Sequence, residues 1–396
     1  MSASARLAIP AGEPGDWLAR ARRLADGFAA TAGELDATGA YPAANFAALH
    51  AEGLVNLVSA AADGVAGAAL VVAQKIIAEI ARGEPSTALI LSMHYVNLAS
   101  IRLGRRWPVD LARAVLASGR QGPALINALQ VEPEAGSPSY GTLPRTLARK
   151  TPEGWRVTGH KRYATGGALL HWYLVLAVTD EAEPRLGSFV IGDKSPGTRI
   201  EAGWNTTGMR ATNSHDIVFE DVLVPEGWVL DLAPASAGRR FDPQQWAWFM
   251  VLIGSVYHGI ARAARDEVLA FAARFTPGSL RAPLASLPLI QDQLGEIEIL
   301  LEAGDRLLES VARDADDGRD GGNAPAQIRH VVLENAIRVV DIALRIAGNT
   351  GISRDHPLER HHRNVLCGRT HAPNGFLVRA ASARAVLAQT GGSDAV

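Results

Sequence analysis

The hydrophobic pattern of the chain changes twice, and this order of segments constrains the fold more than any single motif. Up to about residue 121, apolar residues recur with the spacing of one helix face. Residues 122–235 instead carry short β-branched and aromatic runs bounded by Gly, Pro and Asp, which is typical of strands. Helical spacing then returns. At 396 residues the chain is long enough for several domains. We therefore predict an α+β protein with an N-terminal α-helical domain (1–121), a middle β-barrel or β-sandwich domain (122–235) and a C-terminal four-helix bundle (236–396).

Two local patterns add detail to this prediction. The segment that begins "PSTALILSMHY" predicts a helix after Pro85, with Ser86 or Thr87 as its N-terminal cap. The segment "HDIVFEDVLVP" alternates apolar and polar residues on either side of an acidic kink. Its core-facing side chains are predicted to be Ile217, Phe219, Val222 and Val224.

Charge and cysteine content exclude several classes of protein. A net charge of −2 with interspersed signs argues against a nucleic-acid surface, which would carry a basic face. One cysteine cannot form an internal disulfide and suits a reducing compartment. We see no signal-peptide pattern at the N-terminus and no apolar run of membrane-spanning length. We therefore expect a soluble cytoplasmic protein without nucleic-acid or membrane partners.

Two common cofactor motifs and a metal-binding spacing are absent from the sequence. No Gly-x-Gly-x-x-Gly follows a predicted strand and no Gly-Lys-Ser/Thr loop occurs, which argues against a Rossmann site and a P-loop. His356, His361 and His362 lie close together in "HPLERHH", but they lack a flanking acid at metal-ligand spacing. We expect no metal site.

Three loops of the predicted β region carry the most informative residues. They read "VEPEAGSP", "KRYATGG" and "GMRATNSHDIVFEDVLVP". Local chemistry alone favours hairpin turns, in which Gly supplies positive φ and Ser or Thr makes local hydrogen bonds. In this order, however, the three segments resemble the loop, strand end and Gly-Met-Arg segment of the acyl-CoA dehydrogenase superfamily. The likeness continues through "SVYHGIARAARDEVLAFAARF" and "ALRIAGNTGISRDHPLERHHRN" and covers essentially the whole chain.

The resemblance implies a flavin held between the β domain and the C-terminal bundle. By the family's pattern, the Thr165 hydroxyl would bond flavin N5, and Tyr163 would replace the tryptophan that flanks the ring. Val131 stands where the family has a threonine that reaches the pyrimidine edge, so that bond needs a backbone group here. Gly136 and Ser137 would keep the turn that meets flavin or ligand.

The adenine side of the flavin site departs from the family's pattern. Arg281 or Arg274 would meet the FAD pyrophosphate of a neighbouring subunit, and the segment from Arg345 to Asn349 would contact FAD across a dimer. Neither segment keeps the family's full motif. FMN or reduced flavin therefore stands beside FAD as the expected cofactor, and a homotetramer or homodimer is expected because the family builds its site across subunits.

The stretch "RNVLCGRTHAPN" departs most from the dehydrogenases, which use a glutamate to remove a proton. The family's Tyr-Glu-Gly-Thr tetrad falls on His371, Ala372, Pro373 and Asn374, so alanine occupies the base position. The alternative glutamate position on an earlier helix falls near Phe249. A histidine beside a proline here resembles the two-component flavin monooxygenases of this fold, which receive reduced flavin from a separate reductase. A neutral imidazole can act as a base or hydrogen-bond donor at neutral pH.

Each histidine in this prediction also has a structural reading. His371 could instead bond free carbonyl groups at a helix C-terminus. His94 lies where the family faces its substrate cavity, or it is a core histidine. Asn374 is the last residue of the tetrad and is expected to contact the cofactor. Cys367 is interpreted as a small buried hydrophobe.

Three functions follow from the resemblance. The first is a reduced-flavin-dependent monooxygenase that acts on a small organic substrate, with His371, Thr165 and His94 as catalytic residues. The second is an FAD-dependent acyl-CoA dehydrogenase with a non-standard base. The third is a non-catalytic protein that binds flavin or an acyl ligand.

Overall fold

The computed structural model describes residues 14–59, 67–103, 107–134, 142–238 and 242–389. Five helices precede the β domain, and five follow it, within these residues. The first group comprises α1 (Pro14–Thr38), α2 (Ala43–Ala51), α3 (Leu70–Gly83), α4 (Pro85–Arg102) and α5 (Val109–Gln121). The second group comprises α6 (Pro243–Arg274), α7 (Pro288–Asp316), α8 (Ala324–Ala347), α9 (Pro357–Leu366) and α10 (Gly375–Gln389). The predicted α+β order of helices, strands and helices is confirmed.

Eight strands of the middle domain form one mixed sheet. Seven of them run in the order β6-β7-β3-β2-β4-β5-β8, and β1 pairs in parallel with β4. The strands are β1 (Leu125–Leu129), β2 (Leu147–Thr151), β3 (Gly154–Lys161), β4 (Leu170–Thr179), β5 (Arg185–Gly192), β6 (Thr198–Glu201), β7 (Asp216–Val224) and β8 (Val229–Pro234).

Strand β7 contains the acidic kink that its sequence predicts. Asp221 has a φ of 51°, a left-handed conformation that few residues other than glycine adopt. This irregular residue shifts the alternation by one position, so the predicted inward side chains on both sides of it face the core. Ile217, Phe219, Val222 and Val224 are each at most 1% exposed.

The N-terminal cap of α4 differs from the prediction. Pro85 is the first helical residue, and Glu84 precedes it as the cap. The Glu84 carboxylate accepts hydrogen bonds from the backbone N–H groups of Ser86 at 3.0 Å and Thr87 at 2.6 Å. Proline at the first helical position moves the cap one residue upstream, so the expected caps are instead the donors that Glu84 satisfies.

The long helix α6 forms the centre of the helical core and packs against α3, α4, α7 and α8. By length and composition it is the one described helix that could cross a membrane, but 89% of its apolar window is buried inside the protein. Its apolar surface is therefore used for packing, and the described residues give no indication of a membrane span.

Arg363, at the end of α9, connects the three parts of the chain. Its guanidinium donates to the Asp36 carboxylate of α1 at 2.6 Å and to the Thr207 carbonyl of the middle domain at 2.6 Å. It also forms an ion pair with Glu359, one turn earlier in its own helix. The segment that follows Arg363 is thus fixed against both other domains before it reaches His371.

Candidate functional site

A tight turn after α9 brings His371 against the core of the helical domain. Residues Cys367–Thr370 form a 3₁₀ turn, and His371 follows directly. At Gly368 an added Cβ would lie 2.3 Å from a Leu333 methyl carbon, so only glycine permits this approach to α8. The close packing places the half-buried His371 ring beside Tyr257 of α6.

The Tyr257 hydroxyl and the His371 Nε2 atom are 2.7 Å apart, which is a short hydrogen bond. Burial, together with the nearby Arg329 charge, lowers the pKa of His371 to about 4. Burial raises the pKa of Tyr257 well above its usual value. Both groups are therefore neutral at physiological pH. The structural reading of this histidine expected its ring to bond a free carbonyl, and among the described residues the ring bonds Tyr257 instead.

Arg329 of α8 supports the same segment from the other side. It is 3% exposed and donates to the His371 carbonyl at 3.4 Å and to the Pro373 carbonyl. Burial lowers the pKa of Arg329 to about 10, so it remains a cation at neutral pH. Within the described part of the chain, no carboxylate hydrogen-bonds to Arg329, Tyr257 or His371. The site thus combines a buried positive charge with two neutral groups.

Cys367 lies one turn before His371 but has an unreactive environment. Burial raises the pKa of its thiol to about 11, and its Sγ atom donates weakly to the Arg363 carbonyl at 3.5 Å. Since the thiolate is the nucleophilic form, this cysteine serves as a small packing residue.

The middle-domain side of the site centres on Thr165. Its hydroxyl is 3.0 Å from the Ser214 hydroxyl, which in turn is 2.9 Å from the hydroxyl of Thr212. The Thr165 carbonyl accepts from the Asn127 side chain of β1 at 2.9 Å. Thr165 is thus held between β1 and the loop before β7, and its hydroxyl can reorient within a chain of hydroxyl groups.

Tyr163 presents an exposed aromatic ring beside Thr165. The ring is 50% exposed, and its backbone has a φ of 58°. Its edge meets Trp204 at a centroid distance of 6.1 Å, and the Arg162 guanidinium lies 5.2 Å from its centroid. An exposed aromatic next to a positioned hydroxyl is chemically suited to a planar ring with polar edge atoms, such as a flavin.

A hydrogen-bond chain joins this side of the site to α9. Thr212 donates to the Met209 carbonyl at 2.8 Å, and the Met209 N–H donates to the Asn364 side chain at 2.7 Å. Thr165 and His371 do not contact each other among the described residues. The Met209–Asn364 hydrogen bond connects the segment that holds Thr165 to the helix that precedes His371.

A buried ion pair beneath the first flavin-type loop was missed in the sequence. Lys161 is 0% exposed, and its ammonium donates to Glu132 at 2.6 Å. Glu132 also accepts from the Thr146 hydroxyl at 2.6 Å and the Arg145 N–H at 2.6 Å. The sequence did indicate that Lys161 is buried, because Lys161 and Trp155 are six positions apart in β3 and therefore face the same side of the sheet.

Val131 contributes through its backbone. Its carbonyl accepts from the Arg162 N–H at 2.8 Å, which ties the loop after β1 to the turn that carries Tyr163 and Thr165. Gly136 and Ser137, predicted in the same loop, lie outside the described residues.

His94 lies in the core rather than on an open surface. It is 1% exposed, its Nδ1 accepts from the Ile126 N–H at 3.2 Å, and its Nε2 has no hydrogen-bond partner among the described residues. Burial lowers its pKa to about 3, against a smaller opposing contribution from the Val55 backbone. His94 thus joins α4 to β1.

The residues that were predicted to bind the adenine side of the cofactor lie on the surface, away from Thr165. Arg281 and Asn349 are exposed, and Arg345 is 57% exposed with an ion pair to Asp341. Asn374 accepts from the Leu377 N–H at 3.1 Å and so caps α10. None of these residues contacts Thr165 or His371 within the described chain.

A surface cleft of about 620 Å³ lies elsewhere, where α5 meets the starts of β1 and β4. Trp172, Trp228 and His171 line it, and none of the predicted site residues does. No group of three or more His, Cys, Asp or Glu side chains among the described residues could hold a metal ion.

Comparison with known proteins identifies the family of this chain. Profiles of the acyl-CoA dehydrogenase middle domain and C-terminal domain match residues 129–222 and 247–372. The chain is 32% identical over 360 residues to "Putative acyl-CoA dehydrogenase YdbM" of Bacillus subtilis (strain 168), covering 90% of this chain and 93% of that protein. The chain belongs to the acyl-CoA dehydrogenase family.

Other members of the family, or of its fold, are named as monooxygenases or flavin complexes. The chain is 27% identical to "Probable FMNH2-dependent monooxygenase SfnC" of Pseudomonas putida, covering 91% of this chain and 92% of that protein. It resembles KijD3, solved with FMN and dTDP-3-amino-2,3,6-trideoxy-4-keto-3-methyl-D-glucose, with a TM-score of 0.82 and 25% identity over 95% of each chain. The predicted resemblance is confirmed, and this chain is a flavoprotein oxidoreductase of the acyl-CoA dehydrogenase family.

Proposed function

We propose that this protein is a reduced-flavin-dependent monooxygenase that acts on a small organic substrate. The observation that carries the proposal is the neutral His371, hydrogen-bonded to Tyr257 and directly before Ala372, the position at which a dehydrogenase of the family would carry its glutamate. The nearby charge is the Arg329 cation, and no described carboxylate bonds to any of these three groups. This environment favours hydrogen bonding to an oxygen atom over removal of a carbon-bound proton.

Thr165, Tyr163 and the Val131 backbone would hold the flavin ring on the middle-domain side. Reduced flavin, when bound, supplies two electrons to dioxygen; one oxygen atom then enters the substrate and the other leaves as water. The Thr165 hydroxyl would orient the ring edge, since it can donate or accept through Ser214. His371 would hold a proton near the reacting oxygen from the C-terminal side.

The remaining predictions about the cofactor concern its adenine end and its source. Arg281, Arg345, Asn349 and Asn374 stay proposed contacts to FAD, and the first three are exposed, as a site completed by a second subunit would require. We propose a homodimer or homotetramer for this reason, and a separate flavin reductase in the cytoplasm as the source of reduced FMN or FAD. His94 stays a proposed catalytic residue, and its ring also connects α4 to β1 through the Ile126 N–H.

A second function, α,β-dehydrogenation of an acyl-CoA with FAD, is favoured by the similarity to YdbM, which is named a putative acyl-CoA dehydrogenase. This reaction would need a base that is neither His371 nor one of the described neighbours of His371. Binding of flavin or acyl ligand without turnover is the third candidate.

Stopped-flow mixing of the purified protein, loaded with reduced FMN, with oxygenated buffer tests the proposal. We expect a transient flavin absorbance band that outlives the one formed by free reduced FMN. The proposal would be contradicted if the protein, loaded with reduced FMN or with reduced FAD, reoxidised at the rate of the free flavin and formed no longer-lived band.

In the same assay, His371→Ala should shorten the lifetime of that band by about 10²-fold, the usual effect of losing a positioned acid–base group. Cys367→Ala is the matched control, because it lies in the same turn and its thiol makes only a weak bond to a backbone carbonyl. Equal lifetimes in both variants would assign His371 a structural role.

A further inference from the structure

We propose that Tyr257 is a positioning residue that fixes His371 in its neutral form with the proton on Nδ1, so that His371 acts as a hydrogen-bond donor. This deepens the proposed function and rests on it for the identity of the acceptor, an oxygen atom that becomes negatively charged during turnover. The expected role of a histidine at this position as a base would require the other tautomer.

The direction of the Tyr257–His371 hydrogen bond follows from the surroundings of the phenol. Tyr257 is 0% exposed, and among the described residues the His371 Nε2 atom is its only hydrogen-bond partner. A phenol carries one proton. If the ring donated from Nε2, the Tyr257 proton would be buried without an acceptor, which is costly. Tyr257 therefore donates, and Nε2 is the unprotonated acceptor.

The Nδ1 atom must then carry the proton of the neutral ring. Nδ1 has no hydrogen-bond partner among the described residues. His371 is half-buried, unlike Tyr257, which packs against its Nε2 side. The protonated side of the ring is therefore the side that can meet a ligand.

Arg329 restricts the ring in two ways. Its bonds to the His371 and Pro373 carbonyls fix the backbone on both sides of Ala372, so the ring keeps its direction toward Tyr257. Its charge also disfavours a second proton on the imidazole. Of the other titratable groups in this turn, Cys367 stays a thiol and Arg369 forms an ion pair with Glu334. These contacts allow the neutral His371 ring to donate a hydrogen bond from Nδ1.

The tautomer can be measured without any substrate. In the full-length protein labelled with ¹⁵N-histidine, two-bond ¹H–¹⁵N correlations distinguish protonated Nδ1 from protonated Nε2. The His371 signals are assigned by their loss in His371→Ala. We expect a neutral ring protonated at Nδ1 in the wild type and a shift toward protonated Nε2 in Tyr257→Phe. A wild-type ring protonated at Nε2 would overturn the proposal.

Two substitutions of His371 test the donor role by another route. The amide nitrogen of asparagine is bonded to Cγ, as Nδ1 of histidine is. The amide nitrogen of glutamine lies one bond further out and reaches the position of Nε2. We expect His371→Asn to keep most of the lifetime of the oxygen-dependent flavin band, and His371→Gln to lose it by about 10²-fold, as when a positioned donor is removed. Better retention by glutamine would refute the donor role.

The two experiments separate this inference from the proposed function. If reduced FMN and oxygen give no transient band in the wild type, the monooxygenase proposal fails, while the NMR result still decides the tautomer. If the band forms but Nε2 carries the proton, the monooxygenase proposal stands and the role assigned to Tyr257 is wrong.

Discussion

The charge next to His371 explains why a histidine suits this position. The buried Arg329 cation would hold a carboxylate in its ionised form and lower its pKa, which weakens it as a base. A neutral imidazole has no such constraint, because burial and Arg329 both keep it uncharged. The same cation would also stabilise negative charge that develops nearby.

Buried neutral histidines make the stability of the protein depend on pH. Burial lowers the pKa of His361 to about 3, so between its ordinary value of 6.5 and about 3 the unfolded chain binds a proton that the native state does not. Stability must therefore fall as the pH is lowered through this window. The slope is up to about 1.4 kcal/mol per pH unit for one such histidine.

Neighbouring residues of α9 provide the test. His361→Gln should flatten the dependence of the urea-unfolding free energy on pH between pH 6 and 5. His362→Gln should leave it unchanged, because His362 is exposed. If both variants retain the wild-type slope, the burial of His361 does not control the response to acid.

For single residues, the sequence predicts which positions belong to the candidate site better than it predicts which side chains contact them. The family's motif identifies His371 and Thr165 because each lies in a short recognisable segment. Tyr257 lies 114 positions from His371, and Arg329 lies 42 positions from it. Neither follows from local spacing, since tertiary packing brings them together.

The kink in β7 shows how one residue sets the register of an element. Asp221 in the left-handed region lets Ile217 and Val224 both face the core, although seven positions separate them. Alternation alone would send one of them to the opposite face. The sequence predicts this kink because two acidic residues interrupt an otherwise regular pattern.

Substitution of Asp221 should separate backbone strain from side-chain contacts. Asp221→Val should lower the free energy of unfolding by about 1–3 kcal/mol relative to Asp221→Gly, because a β-branched residue is strained at positive φ. Both variants lose the exposed ion pairs to Arg149 and Arg156 equally. Equal stability of the two variants in urea would mean that the strand relaxes without strain.

Helix boundaries were predictable where glycine or proline marks them. Gly348, with a φ of 57°, ends α8. The α4 cap was missed because Glu is an uncommon N-terminal cap, although its hydrogen bonds to Ser86 and Thr87 are local.

At the scale of the whole molecule, the helix–sheet–helix order is readable from periodicity, but the junctions between domains are not. Arg363 and Asn364 make the contacts that hold α9 to α1 and to the Met209 segment. These contacts place the Thr165 side and the His371 side of the site on one frame. Only the family's pattern indicated beforehand that the two segments belong to one site.

We propose that this member of the acyl-CoA dehydrogenase family lacks the base for α,β-dehydrogenation. Anaerobic titration of the protein, loaded with oxidised FAD, against butyryl-CoA, octanoyl-CoA and phenylpropionyl-CoA tests this proposal. We expect the flavin absorbance to stay unbleached with all three thioesters, while reduced FMN and oxygen give the transient band. Rapid bleaching by any of the thioesters would contradict it.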